Sequence, residues 1–297
     1  MKRAVSIILF AVLLISSSYT VNALSSLYSF GDWLLSVRED VDTLEYSVHA
    51  YKGDDSSIAI PSLYGGYFIS SIDSYAFAGN DSLVSVNLNG HITEIKDGTF
   101  VSASLLETVN LTASVKKLGE GAFASTPSLN NVNLNVTGIT EVPASCFADS
   151  GLTQVSLPST CESIGSYAFA RCGDLEKIVI PASVTEIDDT AFEGCDDLVI
   201  YAVPVSYAAE YAEEHNIPRA VECLLGDCDG DGKVTILDAT RLQRLLAELE
   251  VDNDGMMAVR GDCNGDGLDI LDATKIQRWL AALPVAEPIS SVVTSTY

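Results

Sequence analysis

Residues 69–88 read ISSIDSYAFAGNDSLVSVNL, with apolar side chains at Ile69, Ile72, Phe77, Leu83, Val86 and Leu88. This spacing, I-x2-I-x4-F-x5-L-x2-V-x-L, returns along the chain. Phenylalanine recurs at Phe77, Phe100, Phe123, Phe147, Phe169 and Phe192, at intervals of 23, 23, 24, 22 and 23 residues. Five residues before each stands Ile72, Ile95, Leu118, Val142, Ile164 or Ile187. Three residues earlier stands Ile69, Ile92, Val115, Ile139, Cys161 or Val184. After each Phe come Leu83, Leu106, Leu129, Leu152, Leu175 and Leu198. Chance does not hold these slots in phase over so many residues.

The pattern is that of a solenoid. Each unit is expected to supply one short strand, whose alternate residues point inward, and one irregular return carrying the Phe. No unit buries its apolar face alone, so units stack and share one core. A period of 23 lies inside the leucine-rich-repeat range.

The motif Ile72 to Phe77, the segment Ile164 to Phe169 with Cys172 and Leu175, and the segment Ile187 to Phe192 with Cys195 and Leu198 resemble the BspA-like leucine-rich repeats of bacterial surface proteins. Trp33 to Pro61, with strands expected near Trp33–Val37, Tyr46–Tyr51 and Ser57–Ile60, resembles that family's N-terminal cap. Ser206 to Ala212, ending near Ile217 and Pro218, resembles its closing cap.

On this reading the outward strand positions form two rows. Ser85, Thr108, Asn131, Gln154 and Lys177 make one, and Asn87, Asn110, Asn133, Ser156 and Val179 the other. They stand about 4.8 Å apart from coil to coil. A solubilising face and a shallow groove for a glycan or a peptide are both open. Neither row as read holds an aromatic to anchor a ligand.

The 297 residues carry 16 Lys and Arg against 41 Asp and Glu, a net charge of −25, with 47% apolar residues. The apolar fraction fills a core. The acidity excludes a phosphate-backbone partner and docking on an anionic membrane, and it suits calcium, which takes hard oxygen ligands. Lys2 and Arg3, the run from Ala4 to Ile15 and the small-residue site Val21-Asn22-Ala23 read as a secretory signal over residues 1–23. That run is too short to cross a bilayer, so no membrane insertion is expected.

After Pro218 the character changes. Residues 227–238, DCDGDGKVTILD, fit an EF-type calcium loop. The oxygens would come from Asp227, Asp229, Asp231, the Lys233 carbonyl, Thr235 and Asp238, with Gly232 at the sharp turn. The helix that follows keeps Leu242, Leu245, Leu246 and Leu249 on one face. The unit recurs from Asp262, where Asp262, Asn264, Asp266, Leu268 and Asp272 are the corresponding ligands. That loop is one residue short: Asp269 takes position 9 or the geometry is altered. Two calcium sites are therefore expected, the second weaker.

Two such loop–helix halves resemble a type I dockerin, spanning about residues 226–283. The resemblance implies a cohesin module on a scaffolding protein as partner. Carried over residue by residue, its contacts are Ile236, Leu237, Gln243 and Arg244 in the first half, and Ile270, Leu271, Gln277 and Arg278 in the second. The near-identity of the halves implies a pseudo-twofold surface. The other reading of the aliphatics is that they complete the core.

All seven Cys lie from Cys146 onward. Cys161 and Cys146 fall in buried slots. Cys172 and Cys195, one period apart, stack on adjacent coils within disulfide reach, and two small buried residues are the preferred reading. The pairing of Cys223, Cys228 and Cys263 cannot be read. His49, His91 and His215 lie far apart with no nucleophile motif beside them, and no catalytic residue is identified.

The expected organisation is multidomain. A signal peptide (1–23), an N-terminal cap (24–68), a β-rich leucine-rich-repeat solenoid with its C-terminal cap (69–220), a small all-α calcium-binding dockerin with two EF-hand-like half-motifs (221–285) and a disordered tail (286–297) follow one another. The function expected is that of a secreted, non-catalytic component held on a cohesin-bearing scaffold, its repeats presenting a protein- or glycan-binding surface. The alternatives are a surface adhesin for host or plant polymers, or an extracellular carbohydrate-active enzyme or peptidase.

Overall fold

The computed structural model describes residues 27–40, 43–203, 206–224, 226, 228, 234–247, 269–281 and 292–296. The chain opens on an antiparallel cap of β1 (Leu27–Phe30), β2 (Trp33–Asp40) and β3 (Thr43–Tyr51). The short strand β4 (Ser57–Ala59) and the hairpin of β5 (Leu63–Tyr64) with β6 (Tyr67–Ile72) lead into the repeats.

Each unit then contributes two short strands. The L-x2-V-x-L segments give β7 (Ser85–Asn87), β9 (Thr108–Asn110), β11 (Asn131–Val132), β13 (Gln154–Ser156), β15 (Lys177–Val179) and β17 (Val199–Tyr201). The aliphatic five residues before Phe ends a second strand in each coil: β8 (Glu94–Ile95), β10 (Lys117–Leu118), β12 (Glu141–Val142), β14 (Ser163–Ile164) and β16 (Glu186–Ile187). The sequence suggested one strand per unit. The second arises because in-phase coils also bring the returns into register, and their backbone pairs rather than remaining irregular.

Both rows run parallel and in register from coil to coil, with Val86 opposite Val109 and Ile178 opposite Ile200. Both break at one place, between β10 and β12 and between β11 and β13. The break falls in the 24-residue unit, where the extra length is taken up by a 3-10 turn at Leu134–Val136.

The return holds the core. The six Phe rings stack at centroid spacings of 5.0, 5.3, 5.1, 5.4 and 5.6 Å, within 10° of parallel. Phe77 N–H donates to the Thr99 carbonyl at 2.9 Å, and Phe100, Phe123, Phe147 and Phe169 repeat the bond one coil on. Trp33 closes the stack at one end, 6.4 Å from Phe77 at 79°, and Tyr211 closes the other, 6.1 Å from Phe192 at 64°. The edge-on approach suits a terminal ring.

Tyr211 belongs to α1 (Tyr207–Glu214), whose start is capped by Ser206 Oγ accepting from Ala209 N–H. Beyond it β18 (Arg219–Leu224) pairs parallel to β17. The tail, expected to be disordered from residue 286, instead forms β19 (Val292–Thr296), which pairs antiparallel to β18 with Leu224 opposite Val292. The backbone pairing of β19 covers the edge that β18 would otherwise present. Strands β18 and β19 are thus adjacent in space although 67 residues separate them in sequence. Between them in sequence stand α2 (Ile236–Leu246) and α3 (Ile270–Leu280). No helix of the described residues is long and apolar enough to cross a membrane.

Candidate functional site

Helices α2 and α3 begin in the same way. Thr235 N–H donates to Asp238 Oδ2 at 2.6 Å, and Leu237 N–H donates to Thr235 Oγ1 at 3.1 Å. In the second half Asp269 N–H donates to Asp272 Oδ2 at 2.9 Å, and Leu271 N–H donates to Asp269 Oδ1 at 2.6 Å. Each is a capping box with Asp in the third helical position. Helix register therefore puts Asp269 where Thr235 stands, so the missing residue of the short loop lies before Asp269.

Asp238 and Asp272 are fully buried. Each carboxylate accepts a backbone hydrogen bond from its own helix start, which offsets part of its desolvation. Asp227, Asp229, Asp231, Lys233, Asp262, Asn264, Asp266 and Leu268 lie outside the described residues. Among the described residues no group of three or more His, Cys, Asp or Glu gathers to hold a metal.

The core beneath the two helices is small: Cys228, Ala239, Leu242, Ala273 and Ile276, flanked by Val234, Leu245, Leu246 and Trp279. Ile236 and Leu237 are not in it. They are 56% and 64% exposed, and Ile270 and Leu271 are 55% and 60% exposed. Arg244 and Arg278 are exposed two turns further along the same faces as Leu237 and Leu271, and Gln243 and Gln277 are half-buried. Four aliphatics held in water at equivalent places cost solvation that nothing among the described residues recovers.

The repeat face is the second candidate. Asn110 Nδ2 donates to Asn87 Oδ1 at 2.7 Å, while Asn133 turns back to the Leu111 backbone. The polar rows are therefore partly a ladder that tightens neighbouring coils. They also extend one coil further than the sequence suggested, with Val199 beside Lys177 and Tyr201 beside Val179. Lys177 Nζ lies 4.5 Å from the Tyr201 ring centroid. Around them an open groove of about 700 Å³ is lined by Thr153, Gln154, Glu176, Lys177, Asp197, Val199 and Tyr201. The row thus does hold an aromatic. Its signal was the Leu198 slot of the Phe192 unit, whose strand comes one residue sooner after the Leu than in the other units.

The cysteines of the solenoid are free thiols. Cys172 Sγ donates to the Phe147 carbonyl at 3.0 Å and Cys195 Sγ to the Phe169 carbonyl at 3.1 Å. Each thiol thus serves the return of the preceding coil. Burial pushes the Cys161 thiol up to about 11 and the Cys146 thiol higher still, as suits packing and not nucleophilic chemistry.

One polar cluster brings a histidine, a carboxylate and serines together. Asp73 accepts from Ser36 Oγ at 2.6 Å, Ser47 Oγ at 2.7 Å and Lys96 Nζ at 2.7 Å, and His49 Nδ1 lies 3.2 Å away. The hydroxyls are spent on Asp73 and do not address the imidazole, so this is not a nucleophile–base pair. His91 stacks on Phe68 at 3.9 Å, and His215 stacks on Tyr211 at 4.0 Å.

Residues 70–199 match the BspA type leucine rich repeat region in six copies, and residues 225–281 match the dockerin type I domain. Both are non-catalytic families. Type I dockerins bind calcium, and a dockerin in general implies a cohesin partner. Two crystal structures show the repeat fold. A leucine rich repeat protein of T. pallidum is 23% identical, with 61% of this chain and 92% of that one covered at a TM-score of 0.52. A leucine rich cell surface protein of Faecalibacterium prausnitzii A2-165 is 23% identical, with 60% and 54% covered at a TM-score of 0.51. No curated protein matches the chain. The two strand rows, the Phe stack and the paired capping boxes are accordingly those of a chain built from a BspA-type leucine-rich-repeat region followed by a type I dockerin domain.

Proposed function

We propose that this is a secreted, non-catalytic component held on a cohesin-bearing scaffold through its calcium-dependent dockerin, with the repeats presenting a protein- or glycan-binding surface. The observation that carries the reading is the solvent-exposed set Ile236, Leu237, Ile270 and Leu271 above a core made by other residues. Exposed aliphatics beside Arg244 and Arg278 have the composition of an interface centre with a polar rim. Calcium, when bound, neutralises the crowded loop carboxylates. Asp238 and Asp272 then tie each loop to its helix start, which orients the aliphatic pair. Ligand binding and folding of the module share one free energy.

The test is capture of a cohesin-bearing scaffold protein by the secreted chain, in calcium and in excess chelator. Calcium-dependent retention is expected, together with its loss in the double variant Leu237→Asp/Leu271→Asp. Either single variant is expected to keep binding through the other half. Retention unaffected by chelator and by the double variant would sink the reading. For the repeats, the groove at Lys177 and Tyr201 is the surface to probe with soluble oligosaccharides and peptides.

A further inference from the structure

The opposite end of the solenoid carries a surface that neither the dockerin nor the repeat face uses. Among the described residues, strand β1 is the outermost strand of its sheet, and all four of its residues are exposed. The β5–β6 hairpin lies beside it. Leu27, Tyr28, Phe30, Leu63, Tyr67 and Phe68 are each between 38% and 51% exposed. Ring contacts join the aromatics of one face into a patch: Tyr28 lies 6.1 Å and Phe30 5.5 Å from Tyr64, and Tyr46 lies 5.0 Å from Tyr64 and 6.3 Å from Tyr67, while Phe68 stacks on His91 on the other face. Residues 27–30 and 62–68 contain no Lys, Arg, Asp or Glu, in a chain of net charge −25. A solenoid normally ends on a polar outer face, and this one does not.

The backbone of β1 is unfinished in the same direction. The two-residue turn Gly31-Asp32, with Gly31 at φ +61°, sets Phe30 opposite Trp33. In such a hairpin that pair exchanges hydrogen bonds. Alternation then points the peptide groups of Leu27 and Ser29 away from β2. An open edge of this kind is a template for another strand.

We propose that β1 and its aromatic patch form a self-association face. Two copies meet cap to cap about a twofold axis, and β1 pairs antiparallel with its own counterpart. Charge argues for a second copy as the occupant. Two bodies of net charge −25 repel along most of their surfaces, and the uncharged end lets them approach at least electrostatic cost. The symmetry argues the same way, since a twofold axis makes one patch complementary to itself. The rings Tyr28, Phe30 and Tyr67, half exposed at about 150–250 Å² each, offer roughly 225–375 Å² per copy. A standard interface buries about 800 Å² per partner, so the dimer is weak and forms at micromolar concentration or above. If the dockerin reading above holds, each copy carries its dockerin beyond the other end of its solenoid, and the dimer is divalent for scaffold.

The test is sedimentation velocity of the full secreted chain, with calcium and reductant, from low micromolar to several hundred micromolar. The weight-average mass is expected to rise toward that of two chains. Ser29→Pro removes an outward donor at an edge that tolerates proline, and is expected to stay monomeric throughout. Ser29→Ala is expected to associate like the parent, and Tyr67→Ser to weaken association about tenfold. A parent that stays monomeric overturns the proposal. So does a Ser29→Pro chain that is folded by circular dichroism and still dimerises. Should Ser29→Pro not fold, Tyr67→Ser decides: unchanged association overturns the proposal. The Leu237→Asp/Leu271→Asp chain separates the two readings, since it loses scaffold capture yet is expected to dimerise fully. Loss of dimer there would place the contact on the dockerin and end the proposal.

Discussion

Lys96 Nζ donates to Asp73 Oδ1 at 2.7 Å, and this contact ties the second coil to the first. Asp73 also takes hydroxyls from Ser36 on β2 and Ser47 on β3, so one carboxylate joins three elements. Its side chain is only 17% exposed. Asp73→Ala leaves two hydroxyls and an ammonium without their acceptor, and is expected to cost about 2–4 kcal/mol in urea unfolding. Lys96→Ala, from a more exposed position, is expected to cost about 1 kcal/mol.

The same carboxylate gives a pH signature. Burial pushes Asp73 up, but the bonds from Lys96, Ser36 and Ser47 together outweigh it and hold the carboxyl below its ordinary value. A depressed folded pKa contributes stability that is whole above the unfolded value of about 3.9 and is lost as pH falls through the folded one. The stability gap between the parent and Asp73→Asn should be constant from neutral pH down to about 5 and shrink below about 4. A gap that persists at lower pH would place the effect elsewhere.

Phe123 and Phe147 stack at 5.1 Å and 1° across the place where both strand rows break. There the coupling between coils rests on the rings and on the return, with Phe123 N–H donating to the Cys146 carbonyl at 2.8 Å. Phe147→Ala is expected to cost about 3–5 kcal/mol. Nearest-neighbour coupling also predicts a split into two unfolding transitions, one per half of the solenoid. Hydrogen exchange resolved along the chain reads both, and a single cooperative loss of protection would contradict the split.

For calcium, titration calorimetry of the full chain is expected to show two unequal sites, with Asp238→Ala removing the tighter and Asp272→Ala the weaker. At a hundredfold excess over the dissociation constant, a site adds about 2.7 kcal/mol to the folded module. Two equal tight sites would show that the short second loop, with Asp269 in the place of Thr235, carries no cost.

Because β19 covers β18, ending the chain at residue 285 is expected to raise amide exchange over residues 219–224 at least tenfold and leave the coils before Phe147 unchanged. Unaltered protection at Val221 and Cys223 would show that the tail does not close that edge.

The repeat, both caps and the two loop–helix halves were legible in the residues themselves. They rest on local periodicity: Phe every 23 residues or so fixes a coil, and an Asp three residues after a capping Thr235 or Asp269 fixes a helix start. Tyr201 in the outward row was legible in principle but concealed, because the strand after Leu198 comes one residue sooner than the L-x2-V spacing of the other units. The pairing of β19 with β18 and the gathering of Ser36, Ser47, His49 and Lys96 on Asp73 were not legible, and the exposure of Ile236, Leu237, Ile270 and Leu271 was implied only by the resemblance, with burial in the core left open as the other reading. Each depends on which segments meet in space. A sequence period specifies the neighbours a residue has along its own coil, whereas edge pairing, buried polar hubs and unburied aliphatics are set by contacts between segments distant in the chain. Those contacts, and the face each side chain finally turns to water, were decided only when the coils stacked.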